Sequence, residues 1–253
     1  LDDADPTIAL EAARAIYDMP IAAALPALAK MASRRQQPPL LSERAIHANF
    51  RLGGTANAQN IAEFAATPAM PEKLRRDALE LLVKWADPPD RDLILGLYRP
   101  IGRRDGFAAR IAAAPVLRSI LQPDTPAVVL KPAVELVAHF DLIDFRDELY
   151  ALFDNTSVPP HIRLLALQTM AEAGDYRIGM MVREAVVDTD ESIQNEGDRI
   201  LARLNPEAGA VVLAGKLTHE SMQTRRKALR SLGELSSSTA VATLSDLLDK
   251  MTA

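Results

Sequence analysis

The stretch Glu72-Lys73-Leu74-Arg75-Arg76-Asp77-Ala78-Leu79-Glu80-Leu81-Leu82 sets Leu74, Ala78 and Leu82 four residues apart. On a helix this spacing puts all three on one face, and the small residue at the centre lets a neighbouring helix approach closely. The same order of apolar, small and apolar residues recurs at Ile8-Ala12-Ile16, Leu41-Ala45-Asn49, Ala108-Ala112-Val116 and Val129-Ala133-Val137. It returns at Ile162-Ala166-Met170, Ile193-Gly197-Leu201 and Thr224-Ala228-Leu232. The anchors Ala12, Ala45, Ala78, Ala112, Ala133, Ala166, Gly197 and Ala228 follow one another at 33, 33, 34, 21, 33, 31 and 31 residues. A fixed period of this length is the mark of a repeat architecture, and the short step predicts an irregular unit near the middle.

About 33 residues hold two helices and two short turns. Second helices are predicted at 21–31, 57–66, 90–98, 146–153, 179–187, 208–217 and 240–251. Asp5-Pro6, Thr125-Pro126 and Asn205-Pro206 read as helix starts, each a capping residue followed by a proline. Leu52-Gly53-Gly54, Ala173-Gly174-Asp175 and Leu232-Gly233 read as stops. The expected fold is all-α, an α-solenoid of HEAT-like helix pairs with 31–34 residues per repeat, spanning 1–253 as a single domain. The two least regular stretches, 33–40 and 86–104, are too short to separate independent domains.

Composition agrees with packed helices. Of 253 residues, 48% are hydrophobic and 25% charged, which excludes a disordered or collagen-like chain. Only 11 glycines and 4% aromatics argue against a β-sandwich or barrel. A net charge of −5 lacks the electrostatic footprint of a nucleic-acid binder, so no nucleic-acid partner is expected. The absence of cysteine removes disulfides, thiolate nucleophiles, zinc–thiolate sites, iron–sulfur ligation and covalent haem attachment, while leaving the redox compartment open. No apolar run approaches the ~20 residues that span a bilayer. The chain starts at Leu1 and shows no basic-then-apolar leader, which suggests a piece excised from a longer protein.

Motifs that carry chemistry are missing. There is no G-x-G-x-x-G, P-loop, H-E-x-x-H or G-x-S-x-G. His47, His139, His161 and His219 are at least 22 residues apart, so they form no local metal pair. The acidic run 184–198 fails as a calcium loop, because Ile193 and Arg199 stand where glycine and a bidentate glutamate are needed. Acids stabilised at a helix N-terminus explain that run. Asn155-Thr156-Ser157 is a formal glycosylation sequon, a match too short to decide anything. No catalytic, cofactor-binding or metal-binding residue is therefore assigned.

The opposite bias occupies residues 91–118. Arg91, Arg99, Arg103, Arg104, Arg110 and Arg118 face only Asp92 and Asp105 there. One reading pairs these arginines with carboxylates of neighbouring repeats. The other makes Arg91, Arg99, Arg103 and Arg104 an anion or partner contact, since guanidinium forks suit carboxylates and phosphates. Trp85, the single tryptophan, sits beside them and is expected to pack in the core.

The run Trp85-Ala86-Asp87-Pro88-Pro89-Asp90-Arg91, with Gly96-Leu97-Tyr98-Arg99-Pro100 and Arg103-Arg104-Asp105 after it, resembles the HEAT-repeat region of large secreted proteins typical of planctomycetes and verrucomicrobia. Residues 5–18 resemble the start of the same region. In that family a sorbosone- or glucose-dehydrogenase-type propeller precedes the repeats, and a cytochrome-c-like domain with C-x-x-C-H follows them. The resemblance implies an exported parent, with haem c and any dehydrogenase activity in adjoining domains and no cofactor in this chain. The chain itself is then a non-catalytic scaffold whose partners are a protein or its neighbouring domains. Natural arrays close their ends, and neither end here shows a polar capping repeat, so adjoining domains are expected to cover them. Two enzymes of similar build are the alternatives: a HEAT-like DNA glycosylase, with Trp85 and Asp87 at the lesion, and a bilin-lyase-like protein.

Overall fold

The structure, a computed structural model, describes residues 1–252, so the predicted domain end at Ala253 lies outside the described residues. It is all-α. The first eight helices are α1 (Pro6–Asp18), α2 (Leu25–Lys30), α3 (Pro39–Leu52), α4 (Thr55–Ala66), α5 (Glu72–Val83), α6 (Phe107–Ile120), α7 (Ala127–His139) and α8 (Arg146–Asp154). Six more follow: α9 (Pro160–Glu172), α10 (Ile178–Ala185), α11 (Glu191–Leu204), α12 (Pro206–Lys216), α13 (Met222–Glu234) and α14 (Ser238–Thr252). Among the described residues there is no strand, only an isolated antiparallel bridge between Arg91 and Tyr98. The helices fall into two compact units, Leu1–Val158 and the remainder from Pro159.

Seven helices begin to one rule. The N-caps of α1, α3, α5, α7, α9, α11 and α13 are Asp5, Pro38, Pro71, Pro126, Pro159, Asp190 and Ser221. In every case the small anchor lies seven residues on, at Ala12, Ala45, Ala78, Ala133, Ala166, Gly197 and Ala228. The four capping prolines share φ of −54° to −56° and ψ of 132° to 139°, an extended geometry that the ring presets. Their carbonyls accept the N–H groups of Leu41, Leu74, Val129 and Ile162 at 2.8–2.9 Å, closing the first turn identically four times. The polar caps use side chains: Asp5 accepts from the N–H of Thr7, and Asp190 from those of Ser192 and Ile193.

From α3 onward these anchors are buried. In α1 the expected line is displaced by one residue. Ile8 is 53% exposed and Ala12 half-buried, whereas Ala9, Ala13 and Tyr17 are buried. The helix packs on α2 and α3, and the face turned to them runs through Ala13 rather than Ala12.

The larger correction concerns the middle of the first unit. No helix spans 90–98; residues 84–106 are an irregular loop. The Asp92 side chain accepts from the N–H groups of Ile94 and Leu95, competing with helical bonding, and Gly96 follows at φ 69°. The partner of α5 is therefore α6, the helix of Ala112. It packs on α4, just as α7 packs on α5. Ala112 is buried but belongs to a second helix, and it lies six residues, not seven, after the Gly106 cap. The 21-residue step thus measures from a second helix to the next first helix, with a long loop inserted inside the preceding pair.

Of the other boundaries, Gly53 ends α3 in the left-handed conformation at φ 75°, as expected. Pro126 rather than Thr125 caps α7, and α13 continues through Gly233 to Glu234. Within the second unit, α9, α11 and α13 each lead a pair, completed by α10, α12 and α14.

Candidate functional site

Loop 84–106 is pinned to the first unit by Asp92. Its carboxylate is wholly buried and accepts from the Tyr17 hydroxyl at 2.8 Å and from the Ile94 and Leu95 N–H groups at 3.0 and 2.9 Å. Arg51 and Arg99 stand 3.4 and 3.5 Å away. Burial would raise the Asp92 pKa, but the two N–H groups, the Tyr17 hydroxyl and the Arg99 charge outweigh it and hold the carboxyl below its usual range. Burial, reinforced by the Asp92 charge, pushes Tyr17 upward. Arg99 also donates to the Tyr17 carbonyl at 3.1 Å, tying the far end of the loop to α1.

Arg104 supplies the second attachment. Its Nε donates to the carbonyl of Trp85 at 2.8 Å, and Nη1 to that of Phe50 at 2.6 Å. The guanidinium lies against the rings of both residues, and burial lowers its pKa to about 10. Gly53 makes room for it: a Cβ there would stand 2.5 Å from Nη1. Trp85 itself is fully buried, so its ring offers no platform for a nucleic-acid base.

The four arginines singled out by the sequence therefore part company. Arg99 and Arg104 fasten the loop. Arg103 is exposed and pairs with Asp87 at 2.8 Å, while Arg91 donates to the Gly96 carbonyl at 2.9 Å. Between the fastenings the loop presents Leu93, Leu97 and Tyr98 to solvent; Leu97 is 56% exposed and Tyr98 69%. An exposed tyrosine and two leucines thus stand beside arginines on a loop whose ends are fixed.

Sequence reasoning missed a second feature, which lies entirely in the second unit. There α13 rests on α12 and α14, and a cleft of about 620 Å³ opens among α11, α12 and α13. Its walls include Leu213, Ala228 and Leu235, and its charged groups include Asp198, Arg199, Arg203, Lys216 and Lys227. Asp198 is buried, and its Oδ2 accepts from Lys216 Nζ. Burial raises the Asp198 pKa, with Lys216 opposing. The acidic run seen in the sequence was the only signal at this place, and there it reads as capping and pairing. Asp190 caps α11, Glu196 holds Arg199, and Asp188 pairs with Arg163 at 2.6 Å.

Among the described residues no group of three or more histidines or carboxylates is placed to hold a metal ion, and no helix is long and apolar enough to cross a membrane. No protein-family model matches the chain, and a search of curated proteins finds no match.

Proposed function

We propose that the chain is a non-catalytic scaffold, each unit being a stretch of HEAT-like α-solenoid, which holds adjoining domains or a protein partner in position. The observation that carries this reading is the common build of seven helices, each with a small anchor seven residues after its cap. Six of those anchors are buried where helices pack. Such units stack on their neighbours and leave surface free for recognition. In the first unit that surface is the fastened loop with Leu93, Leu97 and Tyr98.

The resemblance to the secreted planctomycete and verrucomicrobial proteins extends the proposal. The parent is then an exported protein with a dehydrogenase-type propeller before the repeats and a c-type haem domain after them. Haem and dehydrogenase chemistry would belong to those domains. Reading the gene beyond both ends tests this: propeller sequence upstream and C-x-x-C-H downstream support it. A reading frame that stops after Ala253, or a purified 1–253 chain with a Soret band, overturns it. In the longer protein, amide exchange of residues 93–98 should be slower than in the isolated chain if an adjoining domain covers the loop.

A further inference from the structure

The cleft of the second unit has the features of a small-molecule site. Its volume of about 620 Å³ falls in the range of pockets that enclose small organic ligands. Its residues sort by depth. Asp198, Leu213 and Ala228 are buried, while Arg203 and Lys227 are exposed at the rim.

Two unmet groups and one weakly paired cation define what would fill it. Asp198 Oδ1 is buried and has no hydrogen-bond partner, although Oδ2 is bound by Lys216. A buried carboxylate oxygen is costly unless a donor reaches it. Arg203 donates only to the Ala171 carbonyl, at 3.3 Å, and has no carboxylate partner among the described residues. Lys227 pairs with Glu191 at 3.4 Å, but both side chains are at least half exposed, and such pairs give way at little cost. Glu234 also lines the rim; Glu196 holds Arg199 and Glu191 holds Lys227, which leaves Arg203 as the lining cation without a carboxylate partner among the described residues. The leucine and alanine walls between depth and rim favour an apolar body.

From this we infer that the cleft binds a small organic anion with an apolar body. The acidic group would sit between Arg203 and Lys227, and a hydroxyl or amine at the other end would donate to Asp198 Oδ1. The scaffold reading neither requires nor supplies this site, and the two stand or fall separately.

The test uses the full chain and 4-hydroxyphenylacetate, which combines anion, ring and donor. The Leu213, Leu235 and Ala228 methyl resonances are followed on titration. The expected result is saturable shifts at these methyls, with phenylacetate, which lacks the donor, binding about tenfold more weakly. Acetate and 4-hydroxyphenylethanol should also lose affinity, the first lacking the body and the second the charge. Arg203→Gln and Lys227→Gln, both at exposed positions, should each weaken 4-hydroxyphenylacetate by about fivefold to tenfold without unfolding the chain. In Asp198→Asn paired with Lys216→Met, which removes both buried charges together, the difference between 4-hydroxyphenylacetate and phenylacetate should shrink. Absence of saturable shifts at about 10 mM probe overturns the inference. So does equal binding by acetate, which would mean an anion site alone, or methyl shifts that track protein concentration without probe, which would mean a second copy fills the cleft.

Discussion

The Arg104 guanidinium lies 3.8 Å from the centre of the Trp85 ring and also donates to the Trp85 carbonyl. This single side chain joins the end of loop 84–106 to the C-terminus of α3 through the Phe50 carbonyl. Arg104→Ala removes two charge-assisted bonds and leaves the Phe50 carbonyl without that donor. It should cost about 2–4 kcal/mol in urea unfolding. Arg104→Lys should recover little of this, because an ammonium cannot spread flat over the indole while donating in two directions.

Gly197 settles a question that spacing alone leaves open. A Cβ on it would stand 2.8 Å from Ala185 Cβ and 2.9 Å from the Val186 backbone nitrogen. The end of α10 thus sits directly on α11, and backbone cannot step aside as a flexible side chain can. Gly197→Ala should destabilise by about 1–3 kcal/mol. Gly215, in α12, faces open space, and Gly215→Ala should stabilise by up to ~1 kcal/mol through helix propensity. Thermal unfolding of the two variants should therefore move in opposite directions.

The anchors provide a register test. Ala45→Leu, Ala78→Leu and Ala166→Leu place a larger side chain where nothing is exposed, and each should cost about 1–3 kcal/mol. In α1 the sensitive position is Ala13, not Ala12. Ala13→Leu should behave like the other anchors, and Ala12→Leu should stay within about 0.5 kcal/mol of the wild type. Equal effects at the two positions would contradict the one-residue displacement of that face.

These positions also mark how far the sequence could be read. Anchors from Ala45 to Ala78 and from Ala133 to Ala228 were legible because one packing geometry selects small residues at one spacing. The cap-to-anchor distance of seven was equally present in the sequence, but it does not exclude Ala112 from the first helices, because Asp105, a good capping residue, stands seven residues before it; only the structure shows that Gly106 is the cap. Loop 84–106 was misread as partly helical because apolar periodicity is blind to the Asp92 side chain, which captures backbone N–H groups that a helix would use. The division of the arginines was beyond sequence altogether. Whether a guanidinium meets a carboxylate, a carbonyl or solvent depends on residues as distant as Phe50 and Tyr17. The cleft escaped for a similar reason, since it comes from how α13 leans on α12 and α14.

His47 makes stability depend on pH. It is buried against Tyr17, and burial lowers its pKa to about 4 from an ordinary 6.5, even though Asp92, Glu43 and Asp77 pull it upward against Lys73. Between these values the unfolded chain takes up a proton that the folded chain refuses. Stability is then fully present above about pH 6.5 and falls as the pH drops towards 4, by about 3 kcal/mol in all. His47→Gln should flatten unfolding free energies across that window. The lowered carboxyls Asp92 and Asp188 would still contribute a loss at more acidic pH. A wild-type curve with no slope between pH 4 and 6.5 would count against the buried neutral imidazole.

Asp92 is the sharpest test of whether the loop is a fixed surface. Four donors converge on its carboxylate, the Tyr17 hydroxyl, the Ile94 and Leu95 N–H groups and the Arg51 guanidinium, and the Arg99 guanidinium pairs with it at 3.5 Å. Asp92→Ala leaves two largely buried guanidiniums without their counter-charge and the Tyr17 hydroxyl without its acceptor. Breaking a buried pair from one side costs about 3–5 kcal/mol, and that is the expected loss. Asp92→Asn keeps an oxygen for the two N–H groups but gives up the charge, so about 1–3 kcal/mol is expected. In both variants amide exchange should quicken first at Ile94, Leu95, Leu97 and Arg99, ahead of α3 and α5, because the loop is fastened through these contacts. Tyr98→Ala is the counterpart. The residue is 69% exposed, so unfolding and exchange should be unchanged while binding of the proposed partner at this loop is lost. If Asp92→Ala and Tyr98→Ala alter stability equally little, the loop is not held through Asp92 and its apolar residues have no fixed geometry to present.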